Sequence, residues 1–415
     1  MGTGLSWMFV RVGWRNLWRN RGRTWRTALS IAVGAMVVIC GMSIQLGMYG
    51  DMIDLATRLG SGHLQVQHAE YLEDPRPKYL IPRANALARQ LDALPEVAAT
   101  TVRAEAFALV SVGEKSVGAL VQGVDPERER MVSNFPQSLS EGTYLAQSDH
   151  AVVGAGVARN LGVGLGDEVV ILGTGIEGSV AAMVLTVGGI METGQAEIDR
   201  SLVQVALPAL QAAFGFANGG QRILVNLHNI GAIEPALDMI QPMLRPGWAI
   251  RDWTVLMPDT SKAIDLDRIG GQFIYVILIL IVVFNIGNTL VITILERTRE
   301  FGLLLAVGMR PQAIMGMIIV EATALWLLGS IIGWVMSAAL LAYPVMVGIP
   351  VESLGVEEMI AGLSILMPDA IYGAVDAAVV LTAPLAIGVG GLLASMFTML
   401  RIRRLRPVEA LRDEE

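Results

Sequence analysis

Four long apolar runs organise the chain, Ala28 to Tyr49, Phe273 to Leu295, Ala313 to Tyr343 and Ile371 to Leu400. About 20 apolar residues rising 1.5 Å each cover the roughly 30 Å hydrocarbon core of a bilayer, so each run predicts a membrane-spanning helix. The last two are longer than a span needs, which permits tilt. Between the first two runs the pattern becomes short and mixed. Gly62 to Gln67 alternates like a strand, prolines at 75, 77 and 82 interrupt it, and Ala84 to Leu94 places Leu87, Leu91 and Leu94 on one helical face. Val97 to Val112 and Ser116 to Val124 read as strands joined at Gly113-Glu114. A glycine-rich stretch, about 132–207, follows with strands near Ala151 to Val153, Glu168 to Leu172, Ala181 to Ile190 and Ser201 to Val205, and a helix at Val157 to Leu161. Strand, helix and strand then return at Arg222 to Leu227, Ala232 to Leu244 and Trp248 to Asp252. The pattern predicts a strand–helix subdomain built from both ends of the region, with a mostly β subdomain inserted between. Asp259, Lys262, Asp265, Asp267 and Arg268, interleaved with Ile264, Leu266 and Ile269, predict a helical stalk leading into the second span.

Between the second and third spans lies a short charged loop, Glu296 to Gly302, followed by an amphipathic Leu303 to Met309 stretch and Arg310-Pro311. This predicts a short helix lying under the membrane and serving as a handle for another protein. Arginine gives the chain an orientation, because basic residues near span ends stay in the cytoplasm. Arg11, Arg15, Arg19, Arg21, Arg23 and Arg26 precede span one, Arg297, Arg299 and Arg310 separate spans two and three, and Arg401, Arg403, Arg404, Arg406 and Arg412 follow span four. The connection between spans three and four carries Glu352, Glu357, Glu358, Asp369 and Asp376 without Lys or Arg. Hence the expected organisation is a cytoplasmic basic segment (1–27), span one (28–49), an external α+β domain (50–270), span two (271–295), a cytoplasmic loop (296–312), span three (313–343), an external loop (344–370), span four (371–400) and a cytoplasmic tail (401–415). The fold class is an α-helical membrane protein with four transmembrane helices and one large external domain. The first span lacks a clear cleavage site and is expected to remain as an anchor.

Composition agrees with that class. Of 415 residues 53% are hydrophobic, above the roughly 45–50% of soluble domains, and the mean hydropathy is +0.55. The formal net charge of −8 belongs largely to the external segments and argues against nucleic acid as a partner. Cys40, the single cysteine, lies within span one, so the external domain is expected to fold on its core without a disulfide.

Catalytic chemistry finds little footing. No G-x-x-x-x-G-K-[ST] loop occurs, and Gly113-Glu114-Lys115-Ser116 lacks the spacing, so ATP hydrolysis is not expected of this chain. Gly162, Gly164 and Gly166 precede Asp167 and Glu168, which would repel a phosphate. His63, His68 and Glu70 lack the further ligands of a metal site, and His150 and His228 stand alone, so neither a metal nor a catalytic residue is expected. Inside span three Glu321 is the one full charge, which calls for a partner, protonation or a wet interface. Asn285 and Asn288 either bond neighbouring helices or line a polar path, and Gly329 with Gly333, like Ser30 with Gly34, permits close helix contact.

Three blocks resemble the permease subunits of MacB/FtsX/LolCE-type (type VII) ABC transporters. They are Arg15-Asn16-Leu17 with Arg19-Asn20-Arg21 and Arg23-Thr24, then Glu296 to Ile314 running on to Glu321-Ala322, Gly329 and Gly333, and finally Pro407 to Arg412. The layout of one span, a large external region and three further spans is similar too, and the segment Gly62 to Val66 looks most like the lipoprotein-releasing LolC/LolE branch. The resemblance implies a porter-like external part with a β-rich insertion. It also implies a coupling helix over Glu296 to Gly308, with Glu296, Arg297, Arg299, Glu300, Phe301, Gly302, Leu305 and Gly308 as coupling residues. The implied partners are two copies of a cytoplasmic ATPase that binds ATP and Mg, a second permease protomer forming a homo- or heterodimer, and a periplasmic carrier or cargo lipoprotein. The implied setting is the bacterial inner membrane with both termini cytoplasmic, and the implied mechanism is mechanotransmission, in which motion reaches the external domain. An FtsX-like transmembrane signalling scaffold that regulates a cell-wall hydrolase or senses a peptide without transport is the alternative.

Overall fold

The computed structural model describes residues 15, 18, 19, 21–176, 178–355 and 370–402. Two compact units emerge among the described residues, one within Gly50–Ile264, the other formed by those before residue 50 together with Asp265–Gly355 and residues 370–402. In chain order, α1 (Arg21–Leu59) leads to β1 (Leu64–His68), α2 (Ala84–Leu91), β2 (Val97–Val112), β3 (Lys115–Val124) and α3 (Pro126–Val132). Next come β4 (Leu139–Gly142), β5 (His150–Gly154), α4 (Ala155–Leu161), β6 (Glu168–Thr174), β7 (Val180–Met191), β8 (Leu202–Ala206) and α5 (Leu207–Phe214). They are followed by β9 (Arg222–Leu227), α6 (Ile233–Ile240), β10 (Trp248–Asp252), α7 (Pro258–Glu296), α8 (Thr298–Ala306) and α9 (Pro311–Met346). The last described elements are the two-residue strands β11 (Ile349–Pro350) and β12 (Ala370–Ile371), then α10 (Ala377–Ile402). Among the described residues four helices, α1, α7, α9 and α10, are long and apolar enough to cross a membrane.

Strand β2 organises the α+β unit. Its first part pairs with β9, which pairs with β1 and through it with β10, while Leu87, Ala88 and Leu91 of α2 and Ala236 and Ile240 of α6 join the core. From Ala104 onward β2 pairs with β3, and from Ala108 to Ser111 it also pairs with β6. Because β3 runs parallel to β8, β8 pairs with β5, β5 with β7 and β7 with β6, six strands close on themselves. Closure removes free edges. The expected hairpin turns at Gly113, whose φ of 57° suits glycine. Its second strand belongs to the β-rich part, however, which therefore begins near Ala104 and not at 132. A parallel partner some eighty residues away leaves no mark on local periodicity.

Alternation gives the sheet two different faces. Leu64, Val66, Val102, Ala104, Ala119, Val121, Val203, Ile223 and Val225 enter the main core. The opposite face carries Gln65, Gln67, Arg222, Arg103, Glu105, Gln122 and Gln204, all drawn into hydrogen bonds across five adjacent strands. Arg103 and Glu129 are fully buried 2.5 Å apart, with Arg103 also donating to the Gly60 carbonyl and Glu129 accepting from Thr101 and Ser133. Asp125 caps α3 and so aims Glu129 at the sheet.

In the helical unit small residues set the packing. A Cβ on Gly329 would meet Ile31 at 2.6 Å and one on Gly333 the Ala32 carbonyl at 3.0 Å, so both glycines admit α1 against α9. Asn285 of α7 donates to Ser30 of α1 at 2.8 Å. The charged stretch before span two is part of the same helix, α7. Span four starts at Ala377 and not at Ile371: Ile371 pairs with Ile349, the Gly373 and Ala374 amides donate to the carbonyls of Pro344 and Ser43, and Asp376 accepts from the Val379 amide. These bonds commit residues 371–376 to an extended path before the helix begins. Farther along, Pro384 lacks the N–H that would satisfy the Val380 carbonyl four residues earlier. Trp334 of α9 donates to that carbonyl at 3.0 Å, and Trp326 donates to the Pro384 carbonyl at 2.7 Å.

Candidate coupling site

The short helix α8 sits between two membrane-length helices, and its geometry is set at both ends. At its start Arg297 leaves helical geometry (φ −108°, ψ 10°), which breaks α7 from α8. At its end Gly308 takes φ 98°, the Met309 amide bonds the Leu304 carbonyl and the Gly308 amide bonds that of Leu305, a Schellman close that requires glycine. Pro311 then occupies the first turn of α9. The amphipathic helix expected over Leu303 to Met309 is thus shifted toward the N-terminus, since Gly308 ends it.

Arg297 turns inward. Its side chain donates to Glu300 at 3.0 Å and to Glu321 at 3.2 Å, and its guanidinium lies 5.0 Å from the Phe301 ring centre. Glu321, 6% exposed on α9, also has Arg23 of α1 at 3.9 Å, while Arg23 donates to Glu296 at 2.6 Å and Arg19 to Glu300 at 2.5 Å. Three arginines and three glutamates alternate through this network and tie α1, α7, α8 and α9 together. Burial alone raises the Glu300 carboxyl, but hydrogen bonds from Arg19 and Arg297 outweigh it and hold the group below its ordinary value. Glu321 therefore has its charge matched, as a carboxylate within a span requires.

The expected coupling residues divide into two sets. Arg297, Phe301 and Gly302 are buried and Leu305 is half-buried against the helical core, so Arg297 anchors α8 from its inner side. Glu296 and Glu300 are exposed but occupied by Arg23 and Arg19. Arg299, Leu303, Val307, Gly308 and Arg310 form the outward surface, with Leu303 61% and Val307 83% exposed. In the sequence Arg19 and Arg23 stand out as orientation markers and family motif; the signal that links them to the site is the lone carboxylate in span three, Glu321, which needs a cation. Asn285 and the two glycines serve helix packing, whereas Asn288 is exposed on α7. The Pro407 to Arg412 motif, along with Asn16, Leu17 and Asn20, lies outside the described residues. In the other unit the His63 Nδ1 accepts from the Leu227 amide at 3.0 Å and His68 stacks on Tyr79.

Two family models match the chain, one described as FtsX-like permease C-terminal over residues 272–407, the other as MacB-like periplasmic core domain over residues 24–242. The chain belongs to the MacB/FtsX/LolC family of ABC transporter permeases. This permease is 24% identical over 402 residues to the lipoprotein-releasing system transmembrane protein LolC of Xylella fastidiosa, covering 93% of this chain and 92% of that one. It is also 24% identical over 345 residues to the macrolide export ATP-binding/permease protein MacB of Shewanella oneidensis, covering 76% of this chain and 49% of the relative. Among solved structures, the periplasmic region of MacB from Actinobacillus actinomycetemcomitans aligns with a TM-score of 0.36 at 13% identity, over 49% of this chain and 94% of that one. The permease is a multi-pass membrane protein of this family, and the α+β unit is of the MacB periplasmic type.

Proposed function

We propose that this chain is the permease subunit through which a separate cytoplasmic ATPase, carrying ATP and Mg, drives movement of the α+β unit on the outer side of the inner membrane. The carrying observation is the split character of α8. One side is fastened to α1, α7 and α9 by Arg297, Glu300, Glu321 and their arginine partners, while the other exposes Arg299, Leu303, Val307 and Arg310. An exposed apolar pair rimmed by two arginines suits a groove in a soluble partner, and a handle fastened on its far side passes force to several spans at once. The arginine bias supports a cytoplasmic side for this face and both termini. Two such permeases with two ATPases form the working assembly, and likeness to LolC supports a lipoprotein or another hydrophobic molecule as cargo, released from the outer face.

The test is reconstitution of the full chain with the ATPase it captures. Arg299→Glu combined with Leu303→Glu is expected to lower permease-stimulated ATP hydrolysis at least tenfold while the chain still folds and inserts. Undiminished stimulation in the double variant overturns the coupling assignment.

A further inference from the structure

Helix α7 has one packed side and one open side. Val282, Ile286, Leu290 and Ile294 enter the helical core. Leu266, Ile269, Phe273, Ile277, Leu280 and Phe284, recurring every three or four residues, are instead 45–78% exposed. Lipid accounts for the part of this stripe within the span but not for the part before it. Leu266 and Ile269 stand among Asp265, Asp267 and Arg268, seven and four residues ahead of the apolar run that opens at Phe273, which puts them about 10 and 6 Å outside the hydrocarbon. The hydrocarbon ends there and the stripe goes on, so a continuous cover for it is another protein helix. Asn288 lies on the same stripe, four residues after Phe284. Asn285 donates to Ser30, but Asn288 is exposed and has no hydrogen-bond partner among the described residues. Glu296 is eight residues on, about 12 Å, so the short amide does not reach water at that end. An unmet amide in hydrocarbon is costly. Beside it Gly287 and Ala394 of α10 help to line a groove of about 760 Å³, which lets a neighbouring helix come close.

We propose that a second copy of this chain covers the stripe, α7 packing parallel to α7, with the two Asn288 carboxamides hydrogen-bonded to each other inside the membrane. Two copies inserted alike in one bilayer are related by a two-fold axis along its normal, which sets each residue of a central helix beside its own counterpart. A carboxamide suits that place because it both donates and accepts, so two identical groups satisfy each other. The six apolar side chains leave roughly 700 Å² open, near the 800 Å² or so that each partner of a stable complex covers. Asn288 also fixes the register, since sliding one helix by a turn parts the amides and leaves both unmet. The inference rests on the reading of this chain as one of two permeases, and it assigns both places to the same chain.

The experiment mixes full-length copies carrying donor or acceptor fluorophores in lipid vesicles and follows energy transfer as the chain is diluted with lipid. Asn288→Leu is expected to weaken association about tenfold, and Asn288→Gln, which keeps a donor and an acceptor, much less. In a Cys40→Ser background, which removes the single cysteine, oxidation is expected to link most chains bearing Leu266→Cys or Phe284→Cys as dimers. Val335→Cys, on an exposed position of α9, serves as the control and is expected to link few. Unchanged association of Asn288→Leu, or equal linkage at Phe284→Cys and Val335→Cys, overturns the proposal. So does a chain that stays monomeric by itself, whether lipid or a different permease then covers α7. Stimulation of the ATPase is scored separately: a chain that stimulates it without associating with itself overturns this proposal and leaves the coupling assignment standing, and self-association through Asn288 without stimulation does the reverse.

Discussion

Removing Arg297 should destabilise the helical unit far more than removing Arg299, although the two are neighbours of the same charge in one loop. The Arg297 and Glu321 side chains are 11% and 8% exposed and 3.2 Å apart, and breaking a buried pair by deleting one partner costs about 3–5 kcal/mol. Arg23 remains 3.9 Å from Glu321 and softens the loss, so Arg297→Met is expected near the lower end, about 3 kcal/mol. Glu321→Leu leaves Arg297 its bond to Glu300 and its place over Phe301, and is expected to cost about 2 kcal/mol. The double variant replaces both charges with apolar groups and should lie within about 1 kcal/mol of the parent, because such exchanges are often neutral. Equilibrium unfolding of the full chain in mixed detergent and dodecyl sulfate micelles measures all four corners, with Arg299→Met as an exposed control expected within about 0.5 kcal/mol. Additive single effects, or equal effects of Arg297→Met and Arg299→Met, would refute the inward assignment of Arg297.

Two further outcomes follow from bonds already described. Trp334→Phe removes the donor to the Val380 carbonyl and is expected to cost about 1 kcal/mol in the same unfolding assay; in a Pro384→Ala background the restored amide should meet that carbonyl and abolish most of the penalty, so an unchanged penalty there tells against this account. For Glu300 the folded-state carboxyl lies below its ordinary value, so its contribution is complete above the ordinary carboxylate range and is lost as pH falls through the depressed value. The unfolding midpoint of the parent chain should therefore fall more steeply below about pH 4 than that of Glu300→Gln, and parallel profiles would exclude the arginine bonds as its source.

Much of the fold is legible along the chain because its determinants are local. Span-length apolar runs, the Val97 to Val124 hairpin with its glycine turn and the return of strand, helix and strand at Arg222 to Asp252 all declare themselves by period and breaker residues. What stays hidden is set by partners distant in sequence. The pairing of Leu120 with Leu202 closes the six strands and moves β3 out of its expected subdomain, and nothing near Leu120 announces it. Ile371 reads as span but is held extended by Ile349, Pro344 and Ser43. At the candidate coupling site, charge density marks the loop but not its direction: Arg297 and Arg299 look alike in sequence, and Glu321, Glu300 and Phe301 distinguish the inward one. The polar face was hidden for the same reason, since Gln65, Gln67, Gln122 and Gln204 look like ordinary outward strand positions until a second layer covers them.

Proline in a span is usually regarded as a place of weakness, but here the orphaned carbonyl and its indole donor supply a spectroscopic reporter. Of eight tryptophans, Trp326 and Trp334 direct their ring N–H groups at the backbone of α10. Indole proton resonances move downfield on hydrogen bonding, so with each tryptophan assigned by single substitution these two signals would follow the separation of α9 from α10 without any label being attached to the chain.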